Sequence, residues 1–202
     1  GSTVGGGGGN NASGAESTVG GGGFNDVSAD FGTIAGGGST SAPSGNRVKG
    51  NWGTVSGGEN NQAGDDDGLT TTATHATVAG GQGNTAIGAS SVIGGGDDNV
   101  TTGIWATVPG GLSNSAAGDY SFASGRRAKV AVAHDGTFLF ADSSDFDFDS
   151  AAADEFAARA TGGVRFVTAI TSGGVVTAGV SLGSGDTAWG VISSREAKEN
   201  FA

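Results

Sequence analysis

The sequence contains no cysteine and no methionine. Disulfides and thiolate metal sites are therefore excluded, and no covalent staple holds the chain. Lysine is scarce as well: Lys49, Lys129 and Lys198 stand against 20 acidic residues, and the net charge is −11. Phosphate binding needs a basic stripe, and the nearest approach to one is Arg126-Arg127, so nucleic acid is not an expected partner. No apolar run reaches the roughly 18 residues of a membrane span and no signal peptide is visible, so no membrane insertion is expected. An acidic, lysine-poor surface suits a halophilic setting, where carboxylates hold water and self-repulsion is screened. The chain opens in mid-repeat at Gly1, and this reads as a fragment or processed form.

What is abundant is glycine, 43 of 202 residues. Glycine at this level suggests a flexible linker unless it keeps a fixed phase. Here it does. Thr3-Val4-Gly5-Gly6 returns as Thr18-Val19-Gly20-Gly21, Thr33-Ile34-Ala35-Gly36-Gly37, Thr54-Val55-Ser56-Gly57-Gly58, Thr77-Val78-Ala79-Gly80-Gly81, Ser91-Val92-Ile93-Gly94-Gly95 and Thr107-Val108-Pro109-Gly110-Gly111. Taking the β-branched residue at 4, 19, 34, 55, 78, 92 and 108 gives steps of 15, 15, 21, 23, 14 and 16. A unit of 15 residues with two longer insertions, near 39–52 and 64–75, is too small to bury a core alone and must stack on its neighbours.

Each unit reads as strand, turn, strand, turn. Glycine pairs and Asn phrases such as Asn60-Asn61 and Asn84-Thr85 mark the reversals, because glycine and Asn tolerate left-handed backbone. Only one or two sizeable side chains per unit point inward, so each coil has a thin core. Seven or eight coils at about 4.8 Å would make a rod on the order of 35–40 Å long. One Val plus one Ile or Ala per coil buries too little area, at about 25 cal/mol per Å2, to offset the ordering entropy of a whole coil. Burial between chains is the expected remedy, which predicts an obligate oligomer packed about a common axis.

From Asp119-Tyr120-Ser121-Phe122 the texture changes, with Phe122 in the Val phase as a capping coil and a domain boundary near 129. Strands are expected over 128–134, 137–142 and 145–149, one or two helical turns over 151–160, and strands again over 163–170 and 175–182.

Sites for chemistry are few. The glycine runs at 5–9 and 94–96 lack the Gly-Lys-Ser/Thr of a phosphate loop. His75 and His134 stand alone, without the partners of a zinc site or a triad. The best calcium candidates are Asp145, Asp147 and Asp149, since hard oxygens suit Ca2+; alternation with Phe146 and Phe148 equally describes a half-buried strand with a wet acidic edge. Asp65-Asp66-Asp67 and Asp97-Asp98 are weaker candidates, and no cofactor is expected otherwise. Asn11-Ala12-Ser13 and Asn99-Val100-Thr101 are glycosylation triplets. No aromatic-lined groove is evident.

The phrase A-T-V-x-G-G-x-x-N-x-A-x-G, ending in Gly118-Asp119-Tyr120-Ser121-Phe122-Ala123-Ser124-Gly125-Arg126-Arg127-Ala128, resembles the head repeats of trimeric autotransporter adhesins of the YadA type over about residues 1–129. That resemblance implies an all-β, left-handed parallel β-roll or solenoid, three chains to a rod, serving attachment. The stretch from Trp189 to Phe201 resembles the junction at which phage tail-spike and endosialidase fibres meet their C-terminal intramolecular chaperone. In that family a serine and a lysine five residues on take part in self-cleavage, and Ser193 and Lys198 match them, with Ser194 where the family has aspartate. The two resemblances together imply a rod over 1–129, a small trimeric β-rich segment over 130–192 and the start of the junction over 193–202. They imply a non-enzymatic homotrimeric fibre, a viral tail fibre or spike on the virion surface. It would bind a host glycan or protein receptor and meet other virion or fibre proteins. A bacterial or archaeal cell-surface adhesin shares the rod. A glycan-degrading tail-spike would need paired carboxylates in a cleft.

Overall fold

The computed structural model describes residues 1–41 and 44–193, except that the Ser193 side chain is left out; two compact units divide at Ala158 and Arg159. Among the described residues there is no helix, and hence none long and apolar enough to cross a membrane.

The first unit is a parallel β-solenoid of about ten turns. One ladder runs Thr3–Val4, Thr18–Val19, Thr33–Ile34, Thr54–Val55, Thr77–Val78, Val92–Ile93, Thr107–Val108, Phe122–Arg126, Phe138–Ala141 and Phe156–Arg159. The other runs Asn11–Ala12, Asp26–Val27, Arg47–Val48, Gln62–Ala63, Thr85–Ala86, Val100–Thr101, Ser115–Ala116, Ala128–Val130 and Phe148–Asp149. Period two turns one residue of each short strand inward. Val19, Ile34, Val55, Val78, Ile93, Val108, Ala123 and Leu139 fill the core from one side, and Val27, Val48, Ala63, Ala86 and Ala116 from the other, all fully buried. The core is as thin as the repeat predicts.

Register corrects three details of the sequence reading. Ile93, not Val92, pairs with Val78, while Val92 pairs with Thr77 and lies outside, 40% exposed. The steps of 14 and 16 thereby become 15 and 15, and the repeat is regular there. Phe122 pairs with Thr107 rather than taking the Val place, which Ala123 fills. The ladders also do not stop near 129. Phe122, Phe138 and Phe156 stack at 4.7 and 4.9 Å, carrying the Thr column on in aromatic form for two further turns. That stack, with Ala157 against the core, draws Phe156–Arg159 into a strand where alanine content suggested helical turns. Tertiary packing overrides helix propensity at this point.

The turns explain the glycine and the Asn. Gly81 has φ +87°, and a Cβ on it would lie 2.1 Å from the Gly96 carbonyl of the next coil, so only glycine fits. The inward-pointing Asn residues are not themselves left-handed. The residue before takes that conformation at five of the six, at Phe24, Asn60, Gly83, Asp98 and Ser113, and Gly45 before Asn46 is the exception. Asn25, Asn46, Asn61, Asn84, Asn99 and Asn114 all point inward, where they are buried in a continuous ladder. Each Oδ1 accepts the backbone N–H of the next Asn at 3.0–3.1 Å, and Asn114 ends the series by accepting from Ala128 at 2.9 Å. The extra residues of the two insertions lie within 39–45 and 65–73, tighter than expected; Ala42 and Pro43 are outside the described residues.

The second unit, residues 159–202, contains an antiparallel sheet in the order Val164–Ile170, Val176–Leu182, Gly190–Ser193. None of its described side chains is buried. Phe166, Ile170, Val175, Trp189 and Val191 are all exposed, and the Phe166 and Trp189 rings meet at 5.5 Å.

Candidate functional site

The candidates picked from the sequence scatter. Ser193 ends the last strand of the antiparallel sheet, paired with Ala178, and Lys198 lies outside the described residues. Asp145 and Asp147 face arginines: Arg126 reaches Asp145 at 2.9 Å, and Arg127 reaches Asp147 at 2.7 Å and Asp145 at 3.4 Å. The hydrogen bond from Arg127 to Asp147 pushes the guanidinium pKa above its ordinary value. Asp149 sits exposed on its own short strand, so the three carboxylates do not converge. Among the described residues no group of three potential ligands does. The expected alternating strand over 145–149 is reduced to Phe148–Asp149.

The acidic insertion folds on itself. Thr72 Oγ1 donates towards Asp65 Oδ1 and Asp67 Oδ2, each at 3.2 Å, and the Leu69 N–H donates to Asp67 at 2.7 Å. Asp67 is thereby held below the ordinary carboxylate range, chiefly by the Leu69 N–H, whereas burial first and Asp67 second push Asp65 upward. Lys49, paired with Asp26 at 2.6 Å, lines a recess of about 300 Å3 under this loop with Asp65, Asp66 and Leu69. Asp98 serves a turn at φ 53° and Asp97 bridges to Gln82 and Leu112. His134 Nδ1 lies 2.6 Å from Ser150 Oγ, a structural bond. Asn99 belongs to the buried ladder, which removes its triplet from glycosylation in the folded chain, while Asn11 is exposed.

A feature with no trace in the sequence reading is an aromatic column along one corner of the solenoid. Glu16, Phe31, Trp52, His75, Ser90, Trp105, Tyr120, Gly136 and Asp154 all adopt φ between 54° and 68° at the same turn. From Phe31 to Tyr120 each N–H donates to the preceding coil at 2.8–3.0 Å. The left-handed backbone throws these side chains outward, and successive coils bring them into register. Phe31 and Trp52 stack at 5.6 Å and 3°, Trp52 and His75 at 5.0 Å and 6°, Trp105 and Tyr120 at 4.9 Å and 18°. Trp52, Trp105 and Tyr120 remain 48%, 53% and 63% exposed. Large aromatics held in solvent at a left-handed turn form an exposed apolar strip rather than a core. The signal is positional: every member lies three residues before the inward residue of its coil.

Comparison with known proteins adds no family, since no family model matches the sequence and no curated protein matches it.

Proposed function

We propose that this protein is a segment of a homotrimeric fibre, displayed outside a virion, that attaches it to a host surface through a glycan or protein receptor. The observation that carries the reading is an uncharged face. The outward residues of the first ladder form two columns, Thr18 through Phe156 and Gly20 through Ala158, and neither holds a charged side chain. The opposite ladder turns Asp26, Arg47, Lys129 and Asp149 outward. In a chain of net charge −11, a face of Thr, Gly, Ala, Ser and Phe is the one that packs against other copies at little desolvation cost. The antiparallel sheet points the same way, because none of its described side chains is buried and a small sheet gains stability by burying an apolar face. A left-handed β-roll packed as a three-chain rod answers both needs.

The junction resemblance over 189–201 favours a virion over a cellular adhesin, which would share the rod. Substrate turnover is no part of the proposal, since the best acidic cluster is occupied by Arg126 and Arg127.

Light scattering and circular dichroism of the 202-residue chain, in low and high salt, test the assembly. A β-rich trimer is expected, with Thr77→Glu lowering its mass and Ser115→Glu, on the charged side, leaving it intact. A β-rich monomer in every buffer overturns the assembly. Binding of the labelled chain to a panel of bacterial and archaeal cells tests attachment; no binding to any of them counts against it.

A further inference from the structure

The aromatic column has a missing rung. Ring contacts run Phe31 to Trp52 to His75 and resume from Trp105 to Tyr120, with none across Ser90 among the described residues. The backbone there is not interrupted. Ser90 keeps φ 56°, close to the 62° of His75 and the 55° of Trp105, and its N–H donates to Thr74 at 2.8 Å. Only the side chain is short, so no ring stands between His75 and Trp105, which lie one coil to either side of Ser90.

Two coil spacings put the His75 and Trp105 positions about 9.6 Å apart along the stack. A flat aromatic ring in van der Waals contact with both faces needs about 7–8 Å, taking 3.5–4.0 Å on each side. A ring carried by the chain spans such a gap at the coil spacing, as Trp52 does between Phe31 and His75 at 5.6 and 5.0 Å, but a free planar ring in close contact with one wall loses it with the other. A chair-shaped pyranose is thicker, with C–H bonds standing off both faces, and those weakly positive hydrogens suit the negative face of an aromatic ring. Ser90 Oγ at the floor offers a donor and an acceptor to a sugar hydroxyl. Ile104, 38% exposed beside Trp105, adds an apolar edge.

We infer that the gap at Ser90 is a binding slot for one pyranose ring of a glycan, clamped between His75 and Trp105. The inference deepens the attachment reading and rests on it only for the source of the sugar. A single ring held this way binds weakly, on the order of millimolar, and repetition over several chains would raise the avidity.

The test titrates the full chain with methyl glycosides of the common hexoses and N-acetylhexosamines, and separately with p-cresol as a flat aromatic probe. Binding is read by tryptophan fluorescence and by saturation transfer to the ring C–H protons. Ser90→Phe fills the slot with a residue that Phe31 shows the turn accepts at φ 58°, and Trp105→Ala removes one wall. We expect at least one glycoside to bind, both variants to weaken it tenfold or more, and Ser90→Phe to unfold no earlier than the parent. The slot is refuted if no glycoside binds, if Ser90→Phe binds as well as the parent, or if p-cresol binds and the glycosides do not. Cell binding retained by Ser90→Phe, with no glycoside bound by the parent, would sink the slot and leave attachment standing. Glycoside binding without cell binding would do the reverse.

Discussion

Replacing Asn84 by alanine tests whether the buried asparagine ladder holds the coils in register. Asn84 is fully buried, and its Nδ2 donates to the carbonyls of Gly80 at 3.0 Å and Gly96 at 2.9 Å and to Asn61 Oδ1 at 3.1 Å. Its Oδ1 accepts from Asn99 N–H at 3.1 Å and from Asn99 Nδ2 at 3.0 Å. Alanine strips all of these, but not every partner is orphaned. The Gly96 carbonyl still accepts from Gln82 N–H, and Asn61 Oδ1 still accepts from the residue 84 N–H. The Asn99 N–H is left buried without a partner, and the half-buried Gly80 carbonyl must turn to water. At about 1–3 kcal/mol for an unsatisfied buried group, and less for one that water reaches, the cost is about 2–4 kcal/mol.

Asn84→Asp separates hydrogen bonding from shape. The carboxylate keeps the volume and one acceptor, but its second oxygen faces the Gly80, Gly96 and Asn61 oxygens in a buried site. Burial and those oxygens raise the folded pKa of residue 84 above its unfolded value. The variant's stability is then fullest below the ordinary carboxylate range and is lost as pH rises through the folded pKa. Asn11→Ala is the control, since Asn11 is exposed and makes one bond, to Asp26 at 2.7 Å, so its change stays within about 0.5 kcal/mol. Urea midpoints by circular dichroism, at one protein concentration, read all three. An Asn84→Ala loss below about 1 kcal/mol, or an Asp variant no weaker at pH 7 than at pH 4, refutes the ladder as a source of stability.

Register makes a second prediction: Ile93→Ala opens the core and costs about 2–5 kcal/mol, whereas Val92→Thr restores the outer column and stays within about 0.5 kcal/mol, both by urea midpoint. The acidic insertion makes a third. Asp67 titrates below the usual carboxylate range, so its contribution to loop order is present above its unfolded pKa and lost as pH falls through the folded one. Asp65, raised by burial and by Asp67, contributes in the opposite sense, and Asp67→Asn brings its pKa down part of the way. Carboxyl carbon NMR titration of parent and variant checks both; an unmoved Asp65 refutes the coupling.

The coil stack was legible because a period survives substitution. Thr-Val followed by paired glycine marks strand and turn even where an insertion stretches the step to 21 or 23 residues. Frame errors came where two residues serve equally well by type. Val92 and Ile93 are both β-branched, and only pairing with Thr77 and Val78 tells which one faces in. Phe122, Phe138 and Phe156 escaped as a continuation because a stacked aromatic does the outer column's work with none of threonine's sequence character. The asparagines were legible as turn residues but not as a ladder, since a lone Asn at a reversal gives no sign that its side chain points inward.

The aromatic column shows why a sequence search for an exposed aromatic surface fails on a solenoid. Phe31, Trp52, His75, Trp105 and Tyr120 are separated by 21, 23, 30 and 15 residues, and no two share a sequence window. In a globular domain such isolated aromatics most often enter the core, where they bury the most area. Here the core admits nothing larger than Ile34, Ile93 or Leu139, so a Trp has nowhere to go but out. A thin core thus does two things at once. It forces stability onto contacts between coils, and it forces every large ring onto a surface where coil spacing, not local sequence, sets its partner. For the same reason the one interruption in that surface, at Ser90, is an address that insertions elsewhere cannot blur.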